Sequence, residues 1–320
     1  MNSFLSEYLS KYMRGVNSIE KYIKEKYAYQ RIYDIYKSEF GESHPVTLIA
    51  LNDLADFYRN MGEFNKALEL HEKVYVKRRD VLGEKHPDTL LALADLADSY
   101  SDLEDYNKSF ELKNIVYNAR KEILGEKHLD TLTALASLAS SYSDLEDYNK
   151  AFELKNTVYN ARKEILGEKH LDTLTALADL ASSYSDLGDY NKAFELKNIV
   201  YNARKEILGE KHPDTLTALA DLASSYSDLG DHNKALEMRN TVYSARKEIL
   251  GENHLDTLTA LADLADSYSD LEDYNKANEL QNVVYIARIE ILGNQHPETL
   301  KALSSLVHTD LILSENNEID

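Results

Sequence analysis

Histidine is the first side chain to weigh, because imidazole can ligate a metal or act as a general base near neutral pH. Ten occur, and seven of them, His44, His86, His128, His170, His212, His254 and His296, stand 42 residues apart. A metal ion needs ligands converging at roughly 2 Å, commonly four of them in structural zinc sites. Side chains delivered once per 42 residues are held apart along a repetitive chain, so these histidines read as joint or cap residues. The many Asp and Glu residues offer no singular pair for general acid–base work. The serines of ASSYSDL have neither a nucleophile elbow nor a unique histidine partner. Gly-x-Gly-x-x-Gly and Walker phosphate loops are absent. No catalytic, cofactor-binding or metal-ligating residue is assigned, and the chain reads as a non-enzyme.

What remains is the repetition itself. Gly-Glu-x-His begins at Gly41, Gly83, Gly125, Gly167, Gly209 and Gly251, with a weakened copy, GNQH, at Gly293. A fixed period of this length marks stacked supersecondary units, none of which can bury its apolar face alone. The chain has 320 residues, of which 43% are hydrophobic, enough for a core. Its 56 acidic and 36 basic residues give a net charge of −20, which argues against nucleic acid or an anionic membrane as the main partner. There is no cysteine, so disulfide and thiolate chemistry is excluded. No apolar run approaches the roughly 18 residues of a membrane span. The opening MNSFLSEYLSKYMRG lacks the form of a secretory signal. The expected setting is cytoplasmic.

Within residues 169–210, Leu174, Leu177, Leu180, Ala181 and Tyr184 recur at separations of three and four, which predicts one helical face. Leu187-Gly188-Asp189 supplies a break, Gly188 being free to adopt angles costly to other residues. Glu104, Glu146 and Glu272 fill the same position elsewhere, so a left-handed conformation is not expected to be required there. A second helix follows, with Tyr190, Ala193, Leu196, Val200, Tyr201 and Ile207 on one face. Ala181 and Ala193 allow close approach of the two helices. Gly209 can end the second helix, Pro213 suits the first turn of the next, and Asp214 lies near its positive end.

The expected organisation is a degenerate N-terminal helical cap over 1–42, six 42-residue repeats over 43–294, and a C-terminal capping helix with an acidic tail over 295–320. A first helix is predicted within Phe4–Ile19, and Tyr8, Tyr12, Tyr22, Tyr27 and Tyr29 are expected to pack as the cap, the alternative being an aromatic contact surface. His296–Leu313 resembles a first helix without a second, and the final SENNEID is expected to fray.

Leu180-Ala181, Tyr184, Gly188, Tyr190 and Ala193 resemble the tetratricopeptide repeat in their spacing. The 42-residue form, with LGEKHPDTL between repeats, is similar to the repeats of kinesin light chains. The resemblance implies an all-α fold, a right-handed superhelical solenoid of antiparallel helix pairs, whose first helices line a concave surface. It also implies a protein-binding scaffold or adaptor without chemistry of its own. Light chains often place asparagines midway along the first helix to clamp a peptide; only Asn52 is retained here, with Ala94, Ala136, Ala178, Ala220 and Ala262 at the later positions. The same cargo is therefore not expected.

On that geometry the groove candidates in the central repeats are small or acidic, such as Thr175, Ala178, Ser182, Ser185 and Asp186. From Asp172 through Asp189 there are four aspartates and no Lys or Arg. Asp98, Asp144, Asp186, Asp228 and Asp270 are the candidate charge contacts for a basic protein or peptide segment. Asn52, Asp56, Arg59 and Asn60 depart from the repeat pattern and are the candidates for a selective contact. The competing reading is a structural self-assembly element that uses repeat surfaces or terminal caps.

Overall fold

The computed structural model describes residues 23–319, with side chains to residue 315. Helix α1 spans 23–40. It is followed by α2 (Pro45–Asn60), α3 (Phe64–Leu82), α4 (Pro87–Asp102), α5 (Tyr106–Leu124), α6 (Leu129–Asp144) and α7 (Tyr148–Leu166). Then come α8 (Leu171–Asp186), α9 (Tyr190–Leu208), α10 (Pro213–Asp228), α11 (His232–Leu250), α12 (Leu255–Asp270), α13 (Tyr274–Leu292) and α14 (Pro297–Ile319). The architecture is all-α, with antiparallel helix pairs stacked in chain order. Two compact bodies are distinguished among the described residues, an N-terminal one ending at Arg162 and a C-terminal one beginning at Lys163.

In each body a second helix lies between its own first helix and the first helix of the next repeat. In the N-terminal body, Leu93, Leu96 and Ala97 of α4 meet Leu112 and Val116 of α5 and Ala134 of α6. In the C-terminal body, Leu261 and Leu264 of α12 meet Val284 of α13 and Ala302 of α14. Alanines mark the closest approach: Ala55, Ala97 and Ala139, then Ala181, Ala223 and Ala265, are wholly buried on the first helices. Ala67, Ala151, Ala193, Ala235 and Ala277 answer them on the second helices, and Ser109 fills that place in α5. A larger side chain there would push the axes apart.

The joint inside each repeat corrects the reading of Glu104, Glu146 and Glu272. These residues do adopt left-handed backbone, with φ of 61°, 63° and 62°. The cause is the way the helix closes. Glu104 N–H donates to Ser101 O and Asp105 N–H reaches back to Tyr100 O, both at 2.9 Å, a pairing that forces the intervening residue to positive φ. An L-residue accepts this at a cost of about 1–2 kcal/mol, offset by the two backbone bonds. Asp105 then caps α5 by accepting from Lys108 N–H at 3.1 Å.

The joint between repeats uses the periodic histidines. Each of the seven accepts a backbone N–H through Nδ1 two residues on, at 3.1–3.4 Å, and so caps the helix that follows. Gly209, at φ 90° and ψ 163°, occupies a region open essentially to glycine alone.

A third tie was not anticipated. Arg204 donates from Nη2 to Thr175 Oγ1 of its own first helix at 3.0 Å and from Nη1 to Asp214 O of the next at 3.3 Å. Arg246 and Arg288 repeat both bonds. Arg78 and Arg120 make the onward bond to Asp88 O and Asp130 O; Ile49 and Leu91 stand where the threonine would be.

At the N-terminal end, Tyr29 packs on Phe57 with ring centroids 5.3 Å apart and the rings tilted by 32°, and Tyr33 packs against Leu51, Val74 and Ala92. Tyr27 is exposed. The expected helix within Phe4–Ile19, with Tyr8, Tyr12 and Tyr22, lies outside the described residues. At the other end α14 continues through SENNEI to Ile319 rather than stopping at Leu313, since that segment contains neither glycine nor proline to break it.

Candidate binding surface on the first helices

Four candidates fall on α2, and the fold uses three of them internally. Asn52 donates to Asp56 Oδ2 at 3.1 Å. Asp56 Oδ1 lies 3.4 Å from Nε2 of the buried His71, whose Nδ1 shares a 2.6 Å hydrogen bond with Ser99 Oγ. Arg59 forms a forked pair with Asp102 on the neighbouring first helix, through Nε and through Nη2 at 3.3 Å. That bond holds the guanidinium above its ordinary pKa, Asp102 being the main cause. Asn60 alone of the four is exposed with no side-chain partner.

The five charge candidates divide differently. Asp144, Asp186, Asp228 and Asp270 share one register in the last turn of their helices, and the α4 residue at that register is Asp102. Asp98 sits one turn earlier, in register with Asp56, Ser140, Ser182, Ser224 and Asp266. Asp98 is bound to Lys113 Nζ at 3.1 Å, a lysine only 7% exposed. Asp144 accepts from Ser101 Oγ at 3.5 Å. Asp270 accepts from Ser227 Oγ at 3.3 Å and lies 3.6 Å from His232 and 3.9 Å from Arg239. Asp186 and Asp228 are exposed and have no cation partner.

The second helices send cations to this face that charge segregation along the sequence did not reveal. In the N-terminal body the column is His71, Lys113 and Lys155; in the C-terminal body it is Lys197, Arg239 and Gln281. Lys155 donates to Ser143 Oγ at 3.3 Å. Arg239 donates to Ser267 Oγ at 2.8 Å and Asp263 O at 3.2 Å. A contact 28 residues onward recurs at His71–Ser99, Arg239–Ser267 and Gln281–Thr309, and one 15 residues back at His71–Asp56 and Lys113–Asp98, so lining up the repeats would expose the column as soon as one member was placed.

In the C-terminal body the face opens into a cleft of about 530 Å³, within the size range of ligand pockets. Asp228 and Asp270 line it, joined by His232, Arg239, Asp266 and His308, none of which was among the candidates. The signal that could have found His232 and Arg239 was their departure from the tyrosine and lysine of neighbouring repeats. Desolvation pushes Asp263 above the usual carboxylate range, with Arg239 pulling it back. Among the described residues no three His, Asp or Glu side chains gather as a metal site, and no helix is long and apolar enough to cross a membrane.

The family model for the tetratricopeptide repeat matches six overlapping stretches, 27–75, 48–122, 96–164, 130–198, 172–248 and 221–285. The chain belongs to the tetratricopeptide-repeat family. Its repeats are similar in fold to the nearly identical TPR-like repeats of a candidate kinesin light chain from Podosopora anserina, at 26% identity. That match covers 65% of this chain and 98% of that one, with a TM-score of 0.53. A tetratricopeptide repeat protein from Parabacteroides merdae is similar over 91% of this chain and 99% of that one, at 16% identity and a TM-score of 0.57. NprR in complex with its cognate peptide NprX is similar over 94% of this chain and 84% of that one, at 14% identity and a TM-score of 0.58. No curated protein matches the sequence. The tetratricopeptide pairs thus supply the frame, and the columns at the first-helix face differ from repeat to repeat.

Proposed function

We propose that this tetratricopeptide-repeat chain is a non-catalytic scaffold that holds an extended basic peptide or protein segment against its first-helix face. The observation that carries the reading is the pair of exposed, uncompensated carboxylates Asp186 and Asp228, set 42 residues apart in one register. Asp144 is the matching position in the N-terminal body, where it meets only a serine hydroxyl. Repeated weak charge contacts of this kind add up along an extended ligand. NprR, solved with its cognate peptide, is a protein of similar fold that takes a peptide.

The test uses a fluorescein-labelled peptide of alternating lysine and glycine, with glutamate–glycine and glutamine–glycine peptides as comparisons, read by anisotropy. The lysine peptide binds the full chain best, and its affinity falls with added salt. The triple variant Asp144→Asn, Asp186→Asn, Asp228→Asn weakens it roughly tenfold, the scale of a few partly screened charge contacts. Equal binding of all three peptides, or an unaffected triple variant, would remove the acidic surface from the mechanism.

A further inference from the structure

The register that holds Asp56 and Asp98 carries one more acid, Asp266 on α12, while Ser140, Ser182 and Ser224 fill it in the central repeats. Fifteen residues beyond each acid, on the second helix of the same repeat, stands the side chain that faces it. For Asp56 this is His71 at 3.4 Å, and for Asp98 it is Lys113 at 3.1 Å. For Asp266 the residue is Gln281, 94% buried and neutral, with its Oε1 accepting from Thr309 Oγ1. The last repeat carries the acid with a neutral amide at the facing position.

No described side chain forms a salt bridge with that carboxylate. Asp266 stands on the wall of the 530 Å³ cleft together with Asp228 and Asp270. Loss of water, then Asp263, push its carboxyl above the ordinary range; Arg239 and Lys301 pull the other way but form no salt bridge with it, and Asp270 adds to the rise. Arg239 is committed to Ser267 and Asp263 O and lies 3.9 Å from Asp270. His232 leans on Asp270 at 3.6 Å, and His308 is exposed at the rim.

We infer that the cleft between α10, α12 and α14 receives one lysine or arginine side chain of the bound segment, beside Asp266, with Asp228 and Asp270 completing the acidic wall. This rests on the peptide-binding reading above and specifies where its strongest charge contact lies. Charge complementarity selects the occupant: the chain sets Lys113 against Asp98 and the His71 imidazole against Asp56, whereas the side chain at that place beside Asp266 is a neutral amide, so a cation of the bound segment fills the role.

The repeats also supply the variants for the test. Gln281→Lys installs the residue found at positions 113, 155 and 197, and Asp266→Ser installs the one found at 140, 182 and 224. Both substitutions therefore suit the fold. Titrated with the labelled lysine–glycine peptide, each variant is expected to bind roughly five- to tenfold more weakly than the natural chain, the scale of one partly desolvated charge pair. Glu206→Gln, at an exposed residue paired with Lys169, makes the same change in net charge as Asp266→Ser and should leave binding unaltered. Undiminished affinity in both cleft variants would overturn the cationic subsite while leaving peptide binding in place. Failure of the natural chain to bind any of the three peptides would overturn both.

Discussion

Carboxylates in the second half of the first helices meet opposite fates in the two bodies. In the N-terminal one, Asp56 leans on His71 and Asp98 on Lys113, while Asp102 one turn later is taken by Arg59. In the C-terminal one, Asp266 faces Gln281, and Asp186 and Asp228 have no cation partner. The backbone around them is the same helix pair in every case. At the register of Asp56, Asp98 and Asp266, whether an acid is part of the frame or available to a ligand is thus set by the residue fifteen positions further on, in the second helix. Net charge does not report this difference, because a paired and an unpaired aspartate count alike.

The comparison breaks most easily at the paired lysine. Lys113→Met leaves Asp98 without its counter-ion and should cost about 2 kcal/mol, less than a fully buried pair because Asp98 is 39% exposed. Gln281→Met, which loses only a neutral hydrogen bond, should cost about 1 kcal/mol. Urea unfolding of both variants checks the order, and equal losses would mean that Asp98 and Lys113 are not a structural pair.

A smaller effect is expected at the joints. A Cβ added at Gly188 meets nothing within 4 Å, so Gly188→Ala isolates the backbone cost of φ +82°, about 1 kcal/mol. Glu104→Gly relieves the same conformation and should raise stability by about half a kcal/mol, part of the gain being lost to the freer unfolded chain. Thermal unfolding of the two variants should therefore move in opposite directions.

The smallest effect is pH-dependent. Asp266 has a raised folded-state pKa, so its ionised form is disfavoured on folding and the cost is present above that value. As pH falls through the raised folded pKa and then the unfolded one, the cost disappears. Asp266→Asn should accordingly be more stable than the natural chain at neutral pH, with the two converging in acid. A constant difference across that range would show that the carboxylate is not the source.

The helices were legible because leucine and alanine recur at three and four residues over six near-copies, and the periodic histidines were correctly placed at the joints, where each caps a helix. The left-handed glutamates were not legible, since residue type permits that conformation without announcing it and only the closing hydrogen bonds require it. Nor did the sequence disclose which acids were spoken for. Asp98 and Lys113 are fifteen residues apart on different helices, and their meeting depends on how two helices lie together. Grouping Asp98 with Asp144 misses the register by one turn, since the α4 residue in register with Asp144 is Asp102.

The arginine that binds both Thr175 and Asp214 O has a consequence for how such a chain can lengthen. Its two bonds reach back 29 residues and forward 10, and the same offsets recur at Arg246 and Arg288. Inserting or deleting a whole 42-residue block leaves every such reach intact, whereas a change of a few residues within a joint would strand a buried guanidinium. Growth by duplication is therefore tolerated in whole steps and opposed in fractions.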